Sequence, residues 1–327
     1  MADPIKVSII IPVKPGGEVR ALARLHAVDY SYEEWEVIVA EGCSPSRQRN
    51  QAAAQASGNI LYFLDDDSQV SPGFLKRAVQ HYADPKVASV GGPSLTPDTD
   101  TILQHAFGMT FTSMLGGGGM RNRYRRIGEV RSTGDQELIL CNLSFRREVF
   151  LGNGGFDERL YPNEENELME RIRRAGGLLI HDPDLAVFRS HRPTFNAFCR
   201  QLFTYGRGRG EQTVISGVVK PITLIPSFFL LYLLLTPFVN KPVYYLPLLC
   251  YLIAVVAFAV WGAVRGEGRL RAATLLPFLF PLFHICYGAG VIRGLILPRF
   301  KKPNTAVSGV TVRRVKEFGM RNSECGM

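Results

Sequence analysis

The sequence has few cysteines and tryptophans, and neither residue forms a recognisable binding motif. Its six cysteines are scattered along 327 residues without a CxxC pair, which argues against a zinc ribbon or a disulfide framework and is typical of a reducing compartment. No base-stacking aromatic residues interleave the basic residues that give the chain a net charge of +9. We therefore predict no nucleic-acid partner, and an anionic membrane surface is the simpler partner for this charge.

The start of the chain lacks an apolar run long enough to be the core of a secretory signal peptide. Residues 7–13 are apolar, but this run is short and is followed by Lys14 and Pro15. The first half of the chain is therefore expected to remain in the cytoplasm.

Composition divides the chain into three predicted regions. Residues 1–212 have the mixed pattern of a globular domain, residues 213–298 are dominated by apolar residues and proline, and residues 299–327 form a basic tail. The apolar runs of the middle region predict two or three transmembrane or interfacial helices behind a globular domain.

Three apolar runs predict how the middle region meets a membrane. Residues 221–239 and 243–264 are each long enough to cross a bilayer of about 30 Å, and residues 272–297 are a third candidate, interrupted by prolines and glycines. With the globular half inside, the first run exits and the second returns, which leaves the arginines after the second run inside, as the positive-inside rule prefers. A third crossing would carry the basic tail outside. We therefore expect the third run to re-enter the membrane or to lie in its interface.

Short apolar runs that alternate with helical segments predict the fold of the first region. The predicted strands cover residues 7–13, 36–41, 61–64 and 87–91, and helical spacing fills the intervals between them. Strands that alternate with helices indicate an α/β fold with a mostly parallel, doubly wound sheet.

The periodicity fails between about residues 93 and 135, which predicts a long loop. This segment holds four consecutive glycines at 116–119, followed by an arginine cluster that includes Arg123 and Arg125. A long loop within a compact domain is often a lid or a binding loop, and guanidinium groups match phosphate oxygens. The arginines favour a lid, and the alternative is a flexible connector.

Three consecutive aspartates end the third predicted strand. Asp65, Asp66 and Asp67 follow four apolar residues, and ligands of such sheets bind at the carboxyl ends of strands. Only oxygen ligands are offered, which suits Mg²⁺ or Mn²⁺, and magnesium held by carboxylates usually also binds phosphates. The motif predicts an enzyme that acts on a phosphate-bearing donor. The alternative is an acidic turn, because aspartate favours turns.

A second acidic cluster begins a predicted helix at Asn163. Glu164 and Glu165 fall in its first turn, where the helix dipole favours their ionised form. An ionised carboxylate in a pocket accepts a proton from an attacking hydroxyl. The alternative is ordinary helix chemistry, since acidic residues are common in first turns.

Taken in chain order, these segments resemble family 2 glycosyltransferases of the GT-A fold over roughly residues 5–210. The matching segments are VSIIIPV at 7–13, Glu41 at a strand end, Arg49-Asn50, FLDDD at 63–67, FRREVF at 145–150, GGFDERL at 154–160 and NEENEL at 163–168. The glycine-rich arginine segment and YGRGR at 205–209 resemble membrane-bound members that build bacterial exopolysaccharides of the succinoglycan type. The resemblance implies a GT-A catalytic domain followed by α-helical transmembrane segments.

The resemblance also implies a nucleotide-sugar site at the strand ends. Pro12 and Val13 end the first strand where the family cradles the nucleotide base, and Glu41 stands where an aspartate usually contacts uridine. Arg49 and Asp66 belong to the matching segments and are assigned to the same donor site.

The implied cofactor is Mn²⁺ or Mg²⁺. Asp65 and Asp67 match the DxD pair of the family, with Asp65 nearer the nucleoside and Asp67 on the metal that bridges the diphosphate. His191 is a third candidate ligand, because GT-A enzymes sometimes use a late histidine. The alternative is a structural histidine.

The remaining implied roles belong to catalysis and the acceptor. Glu165 matches the aspartate of the family's ED pair, the usual catalytic base, and Glu164 is a second candidate. Tyr205, Arg207 and Arg209 occupy the place of the Gln-Arg-Trp motif of processive synthases, which implies sugar stacking by the tyrosine and diphosphate binding by the arginines. The alternative is a basic amphipathic helix on the membrane, and the two interpretations are compatible.

These features imply an inverting, metal-dependent transfer from a nucleotide sugar, expected to be a UDP-sugar, to a lipid-linked saccharide or polysaccharide acceptor. The expected location is the cytoplasmic face of a bacterial inner membrane, with membrane lipids as partners. Two other hypotheses stay open: a catalytically silent nucleotide-binding scaffold, suggested by glutamate at positions 41 and 165, and a transporter component.

Overall fold

A computed structural model describes residues 6–239, 241–265, 269–301 and 309–315. Within these residues the strands are β1 (Val7–Val13), β2 (Trp35–Glu41), β3 (Ile60–Leu64), β4 (Val87–Gly91), β5 (Ser94–Leu95), β6 (Arg131–Ser132), β7 (Asn142–Arg146), β8 (Leu178–His181), β9 (Val187–Phe188) and β10 (Thr311–Val315). The α-helices are α1 (Leu22–Leu25), α2 (Pro45–Gln55), α3 (Phe74–Gln80), α4 (Ile102–Thr112), α5 (Arg147–Gly152), α6 (Glu164–Arg174), α7 (Phe195–Ser216), α8 (Ile225–Leu235), α9 (Leu246–Arg265), α10 (Leu270–Ala273) and α11 (Leu276–Ile296). Most of the predicted basic tail, at 302–308 and 316–327, lies outside the described residues.

The strands β1, β2 and β3 form the centre of the sheet because their side chains are apolar on both faces. All five residues of β3 are buried. Ile10 and Phe63 pack on one face with side chains of α2, α5 and α6, whereas Ile9 and Tyr62 pack on the other face with side chains of α3. Strands that are covered on both faces appear in the sequence as continuous apolar runs. The predicted α/β class is confirmed.

The main sheet is mixed, and five of its eight described strands (β2, β1, β3, β4 and β8) run in one direction, as the prediction of a mostly parallel sheet expects. In the described part of the chain its strand order is β10-β2-β1-β3-β7-β4-β8-β6, and β5 and β9 form a separate parallel pair. The strands β2, β1 and β3 run parallel, whereas β7 runs antiparallel between β3 and β4. Because Asn142, the first residue of β7, pairs with Leu64, the last residue of β3, the segment before β7 lies at the carboxyl end of β3.

Part of the predicted long loop is a helix. The helix α4 buries Ala106, Phe107 and Phe111, so the prediction of an aperiodic segment is wrong for its residues. The helix is buried over a broad surface, and its apolar residues therefore do not form a single stripe with helical period. Its start carries a capping box, in which the Thr101 hydroxyl accepts a hydrogen bond from the Gln104 backbone N–H. That pair was the available sequence signal.

Glycines allow α7 and α11 to pack with their backbones in close approach. A Cβ atom on Gly206 would lie 2.1 Å from the carbonyl oxygen of Tyr287, and one on Gly290 would lie 2.1 Å from that of Phe203. Small residues are what permit such close approach between helices. The helix α7 continues across residue 212, and the predicted domain boundaries stay a prediction.

Three helical segments are long and apolar enough to cross a membrane. They are Pro221–Phe238, Pro242–Arg265 and Leu276–Ile296. In the first two segments only 11% of the residues are buried inside the protein, whereas 44% are buried in the third. The third segment therefore packs mainly against the rest of the chain.

The strand β10 returns the end of the described chain to the sheet. Its residues pair antiparallel with β2, from Thr311 opposite Glu41 to Val315 opposite Val37. Two strands that exchange backbone hydrogen bonds cannot lie on opposite sides of a bilayer. Residues 311–315 therefore lie on the same side of any membrane as the main sheet.

Candidate active site

A cavity of about 140 Å³ lies at the carboxyl end of β3, between α6, α7 and α11. Its polar lining consists of Arg49, Asp65, Arg123, Asn163, Glu164, Glu165, Arg189, Arg192, Tyr205 and Arg209. Aromatic rings of α4 and α11, from Phe111, Phe283 and Tyr287, also line it. The structure thus brings both predicted acidic motifs together and places them beside an apolar helix.

Five ionisable side chains, alternately acidic and basic, form a row across the strand end. The Nη2 atom of Arg189 lies 3.1 Å from Asp65 Oδ2, and its Nε atom lies 2.7 Å from Asp67 Oδ1. Arg49 joins Asp65 to the start of α6, with Nη2 3.1 Å from Asp65 Oδ1 and Nη1 3.0 Å from Glu164 Oε1. Two arginines therefore connect the aspartate motif to the glutamate motif.

The two acids that contact Arg49 have pKa values shifted in opposite directions. Burial opposes ionisation of Asp65, but the charges of Arg189 and Arg49 outweigh it and hold the pKa of Asp65 below its usual value. For Glu164, burial and the neighbouring Glu165 carboxylate outweigh Arg49 and raise the pKa to about 8. At neutral pH the cavity therefore holds an ionised Asp65 and a largely protonated Glu164.

Glu165 is oriented by two neighbours. The Asn166 Nδ2 atom donates a hydrogen bond to Glu165 Oε1 at 3.1 Å, and Arg123 Nη1 lies 3.7 Å from the same oxygen. Arg123 is fixed in turn by hydrogen bonds to the backbone carbonyls of Asp135 and Gln136. Among the described residues no donor bonds the other carboxylate oxygen of Glu165, which leaves that oxygen free to accept a proton.

The start of α6 is held directly against α7. Asn163 adopts a φ of 84°, and its amide donates to the carbonyl of Tyr205 at 3.3 Å, while its Oδ1 accepts from Asn166 Nδ2 at 2.9 Å. A Cβ atom on Gly208 would lie 2.5 Å from the carbonyl oxygen of Pro162. The glycine therefore allows α7 to fix the backbone that carries the two catalytic candidates.

The two aspartates of the predicted metal site share one cation in the structure, the guanidinium of Arg189. One guanidinium group contacts both Asp65 and Asp67, so the two carboxylates converge on a single cationic group. Within the described chain the Oδ2 atom of Asp67 is engaged only by Arg20, at 3.9 Å. The oxygen-only donor set fits Mn²⁺ or Mg²⁺ once Arg189 moves aside.

His191 lies apart from this pair. Its Nε2 atom is 3.1 Å from Thr96 Oγ1, and its ring stacks on Phe111 with centroids 5.6 Å apart. Burial and the charge of Arg189 lower its pKa to about 3. No three His, Cys, Asp or Glu side chains form a possible metal-ion group in the part of the chain that the structure describes. The predicted set of two aspartates and His191 is thus not assembled, because the imidazole packs among the aromatic residues of α4.

The predicted nucleoside-binding residues lie at the same sheet edge but outside the cavity. Val13 ends β1 opposite Glu41, and Glu41 Oε1 accepts a hydrogen bond from the Gly16 backbone at 3.1 Å. Pro12, Val13, Glu41 and Asp66 do not line the 140 Å³ cavity. Their role in binding the donor stays a prediction.

The two arginines predicted to bind the diphosphate face different surroundings. Arg209 lines the cavity and donates to Gln212 Oε1 at 2.9 Å. Arg207 lies 3.8 Å from Glu211 on the side of α7 that packs on α11. Residues two apart on an α-helix point about 200° away from each other, so the pair cannot face one cavity. The prediction that both bind one diphosphate is not supported for Arg207.

The residues predicted to bind the acceptor or to form a lid line two different cavities. Tyr205 and Arg123 line the cavity, and Tyr205 accepts a hydrogen bond from Gln201 Nε2 at 2.8 Å. Arg125 instead lines a second, larger cavity. The arginine segment therefore serves two neighbouring cavities.

The sequence interpretation missed Arg189, the residue that contacts both aspartates. It follows β9, where Phe188 and Gln69 exchange backbone hydrogen bonds of 2.9 Å, and this pairing brings it beside the aspartate turn. The available signal was an arginine two positions before the proposed His191. The aromatic lining from α11 was missed because it depends on how that helix packs.

Comparison with known proteins settles the family. A sequence profile described as Glycosyl transferase family group 2 matches residues 60–264. The chain belongs to this family. This family 2 chain is 26% identical to the pre-mycofactocin glycosyltransferase of Mycobacterium tuberculosis, in a match covering 50% of the chain and 33% of that protein, so it spans about a third of that relative's length.

Two further comparisons concern this family 2 chain over most of its length. The succinoglycan biosynthesis protein ExoA of Rhizobium meliloti is 23% identical, in a match covering 80% of the chain and 86% of that protein. The solved mannosyltransferase PcManGT from Pyrobaculum calidifontis, in complex with GDP-Man and Mn²⁺, matches 90% of the chain and 88% of that structure with a TM-score of 0.54 at 15% identity. The structural match confirms the GT-A fold.

Proposed function

We propose that the protein transfers a sugar from a nucleotide sugar to an acceptor at a membrane surface, with inversion at the anomeric carbon. The observation that carries the proposal is the cavity in which Asp65, Arg49 and Glu165 meet beside aromatic residues of α11. Membership of the family supports glycosyl transfer. The wall formed by α11 supports an acceptor that approaches from the apolar helices.

Glu165 acts as the general base in this proposal. It takes the proton of the acceptor hydroxyl while the hydroxyl oxygen forms a bond to the anomeric carbon. The bond from that carbon to the diphosphate breaks on the opposite face, which inverts the configuration. Glu164 acts as a positioning residue, because it holds Arg49 against Asp65.

The leaving diphosphate needs positive charge that is already in place. Arg49 and Arg209 line the cavity and supply fixed guanidinium groups. Asp65 and Asp67 would hold Mn²⁺ or Mg²⁺, which, when bound, acts as a Lewis acid on the diphosphate. The arginines and the aspartates together favour a donor that carries a diphosphate.

Replacing Asp67 by Asn tests the donor site. The change removes one of the two shared carboxylates, and we expect metal-dependent nucleotide affinity to fall by about tenfold or more, since even indirect partners of metal ligands contribute about that much. Titration of UDP with and without Mn²⁺ measures it. Asp29→Asn is the control, because Asp29 is exposed and pairs only with Lys76 in the described chain. Equal affinities for the two variants would contradict the proposed metal site.

The proposed donor is a UDP-sugar and the proposed acceptor a lipid-linked saccharide. The acid at the end of β2, Glu41, supports the nucleoside assignment by its position, and the name of the succinoglycan biosynthesis relative supports a polysaccharide product. A thermal-shift screen of nucleotides with and without Mn²⁺ identifies the base, because a bound ligand stabilises the folded protein. Stabilisation by GDP but not by UDP would reassign it.

We further infer that α8 and α9 cross the membrane and that α11 does not. Because β10 joins the sheet, the chain between residues 216 and 311 crosses an even number of times. The helix α11 is the most buried of the three candidates, and it packs on α7 along shared glycines. The positive-inside rule places Arg265, Arg269 and Arg271, and with them the sheet, on the cytoplasmic face of a bacterial inner membrane.

Single cysteines test this topology in a variant that lacks the native cysteines. A membrane-impermeant thiol reagent added to intact cells is expected to label Lys241→Cys, in the connection between α8 and α9. The same reagent is expected to label Gly309→Cys, just before β10, only after the cells are opened. Labelling of Gly309→Cys in intact cells would contradict the even number of crossings.

A further inference from the structure

A second cavity lies between α4, the segment that follows it, and α9. Its volume is about 660 Å³. We call it the α4–α9 groove and define it by Met109, Arg121, Arg125, Trp261 and Arg265. The ring of Tyr124 lines both this groove and the active-site cavity, so the two spaces are neighbours.

The groove concentrates positive charge that the described chain does not neutralise. No described carboxylate lies within 4.0 Å of the guanidinium nitrogens of Arg121, Arg125 or Arg265, whereas Arg269, at the rim, pairs with Asp98 at 2.6 Å. Three cationic groups therefore face one space without an ion pair of their own among the described residues, although Asp98 also lines the groove and Glu137 attracts Arg125 at longer range.

The three guanidinium groups are held in place by neutral partners. Arg121 Nη1 donates to the Gly118 carbonyl at 2.7 Å, and Arg125 Nε donates to Asn122 Oδ1 at 2.8 Å. Arg265 lies over a tryptophan ring, 4.3 Å from its centroid. These contacts orient the guanidinium groups and add no negative charge to the groove.

Electrostatics within the groove agree with this geometry. Burial and repulsion from Arg121 outweigh the attraction of Glu137 and lower the pKa of Arg125, and Arg131 and Arg265 add to the repulsion. A bound anion would offset the repulsion between these guanidinium groups.

The groove also has the setting of a membrane interface. Its far wall is the last part of α9, which ends at Arg265 after an apolar run long enough to cross a bilayer. Trp261 lies one helical turn before that end, and tryptophan is enriched at the level of lipid headgroups. Apolar side chains, including Met109 and Phe258, line the groove beside the arginines.

We propose that the α4–α9 groove binds the diphosphate of a membrane-embedded polyprenyl acceptor. Guanidinium forks match the diphosphate oxygens, and the apolar wall of α9 accompanies the first isoprene units into the bilayer. The saccharide then extends past Tyr124 toward Glu165. This assignment rests on the proposed function, since it supplies the acceptor subsite of the same reaction.

Binding of farnesyl diphosphate tests the assignment without relying on catalysis. We use the full chain in nanodiscs of phosphatidylcholine and measure the Kd for farnesyl diphosphate and, separately, for UDP. The double variant Arg125→Gln/Arg265→Gln is expected to bind farnesyl diphosphate at least about tenfold more weakly, because hydrogen bonds to charged groups contribute that much. Its UDP affinity is expected to equal that of the wild type.

Two further variants are the matched controls. Arg126→Gln removes an arginine of the same segment that lies outside the groove and faces Asp184 at 3.8 Å, and it is expected to leave both affinities unchanged. Arg265→Lys keeps the charge but not the planar fork, and it is expected to lose less affinity than the double variant.

Three outcomes would overturn the assignment. Unchanged farnesyl diphosphate affinity in the double variant would remove the groove as the site. Inorganic pyrophosphate binding as tightly as farnesyl diphosphate would assign the groove to a soluble anion. If the double variant bound phosphatidylglycerol nanodiscs more weakly than the wild type but bound farnesyl diphosphate equally well, the groove would be assigned to bulk anionic lipid. Absence of both UDP and GDP binding by the wild type would instead remove the proposed function and leave the groove test intact.

Discussion

Replacing Glu165 by Gln is expected to lower sugar transfer by roughly 10²–10⁴-fold, the range that general base catalysis contributes. Glutamine keeps the size of the side chain and its hydrogen bond with Asn166 but cannot take the proton of the acceptor hydroxyl. The side chain is proposed to touch the acceptor and not the nucleotide. The affinity for UDP is therefore expected to stay within about twofold. Initial rates of transfer and UDP titrations measure the two quantities.

The neighbouring Glu164 provides the comparison within the site. Its raised pKa, about 8, means that glutamine resembles the protonated form present at neutral pH, so Glu164→Gln is expected to lose much less activity at pH 7. Above pH 8 the wild-type carboxyl ionises and the variant does not, so the two rates are expected to diverge there. A large loss in Glu164→Gln together with retained transfer in Glu165→Gln would exchange the two roles.

Glu148→Gln is the matched control outside the site. Glu148 also lies in the first turn of a helix, α5, but it is exposed. Its replacement is expected to leave transfer and UDP binding unchanged. If Glu148→Gln and Glu165→Gln lost activity equally, the loss would reflect general damage to the fold and not the removal of a base.

Replacing Gly290 by Ala is expected to destabilise the protein strongly. The new Cβ atom would lie 2.1 Å from the carbonyl oxygen of Phe203, so α7 and α11 must move apart over their whole contact. Overpacking of this kind costs roughly 1–3 kcal/mol, which lowers the midpoint of thermal unfolding by about 2–10 °C. Calorimetry of the detergent-solubilised protein measures the shift.

Two other glycines provide the control and a test of additivity. Gly152→Ala adds a methyl group that meets no heavy atom within 4 Å, and its midpoint is expected to stay unchanged or to rise slightly. Gly206→Ala acts at the same helix contact as Gly290→Ala, and because both widen one contact, their losses are expected to be less than additive. A midpoint for Gly290→Ala equal to that of Gly152→Ala would refute the close packing of α7 and α11.

Much of the central sheet was predictable because each buried strand carries its own signal. The apolar runs of β1, β2 and β3 bury both faces, and the three aspartates after β3 mark the polar edge. The helix α4 escaped prediction because its apolar residues follow no single period. Its capping residues, Thr101 and Gln104, were the more reliable signal.

The candidate site was predictable in its acids and in several of its arginines, since Arg49, Arg123 and Arg209 were predicted and line the cavity, whereas Arg189 was missed. Asp65 and Glu165 each belong to a local motif, at a strand end and at a helix start, and the structure brings both to one cavity. Arg189 and Arg209 reach that cavity only through the pairing of β9 and the rotation of α7. The same rotation turns Arg207 away from the cavity. The sequence places Arg207 and Arg209 only two residues apart, and that spacing alone does not show that they face different directions.

By itself the sequence determined the order of the first four strands and the helices between them, the position of the acidic motifs and the number of apolar runs, since periodicity and composition are local properties of the chain. Only the tertiary structure decided that Arg189 bridges two aspartates more than a hundred residues away, that α11 lies against α7, and that β10 returns to the sheet. Each of these depends on contacts between segments far apart in the chain, and such contacts form because packing and backbone pairing, not neighbouring residues, select them.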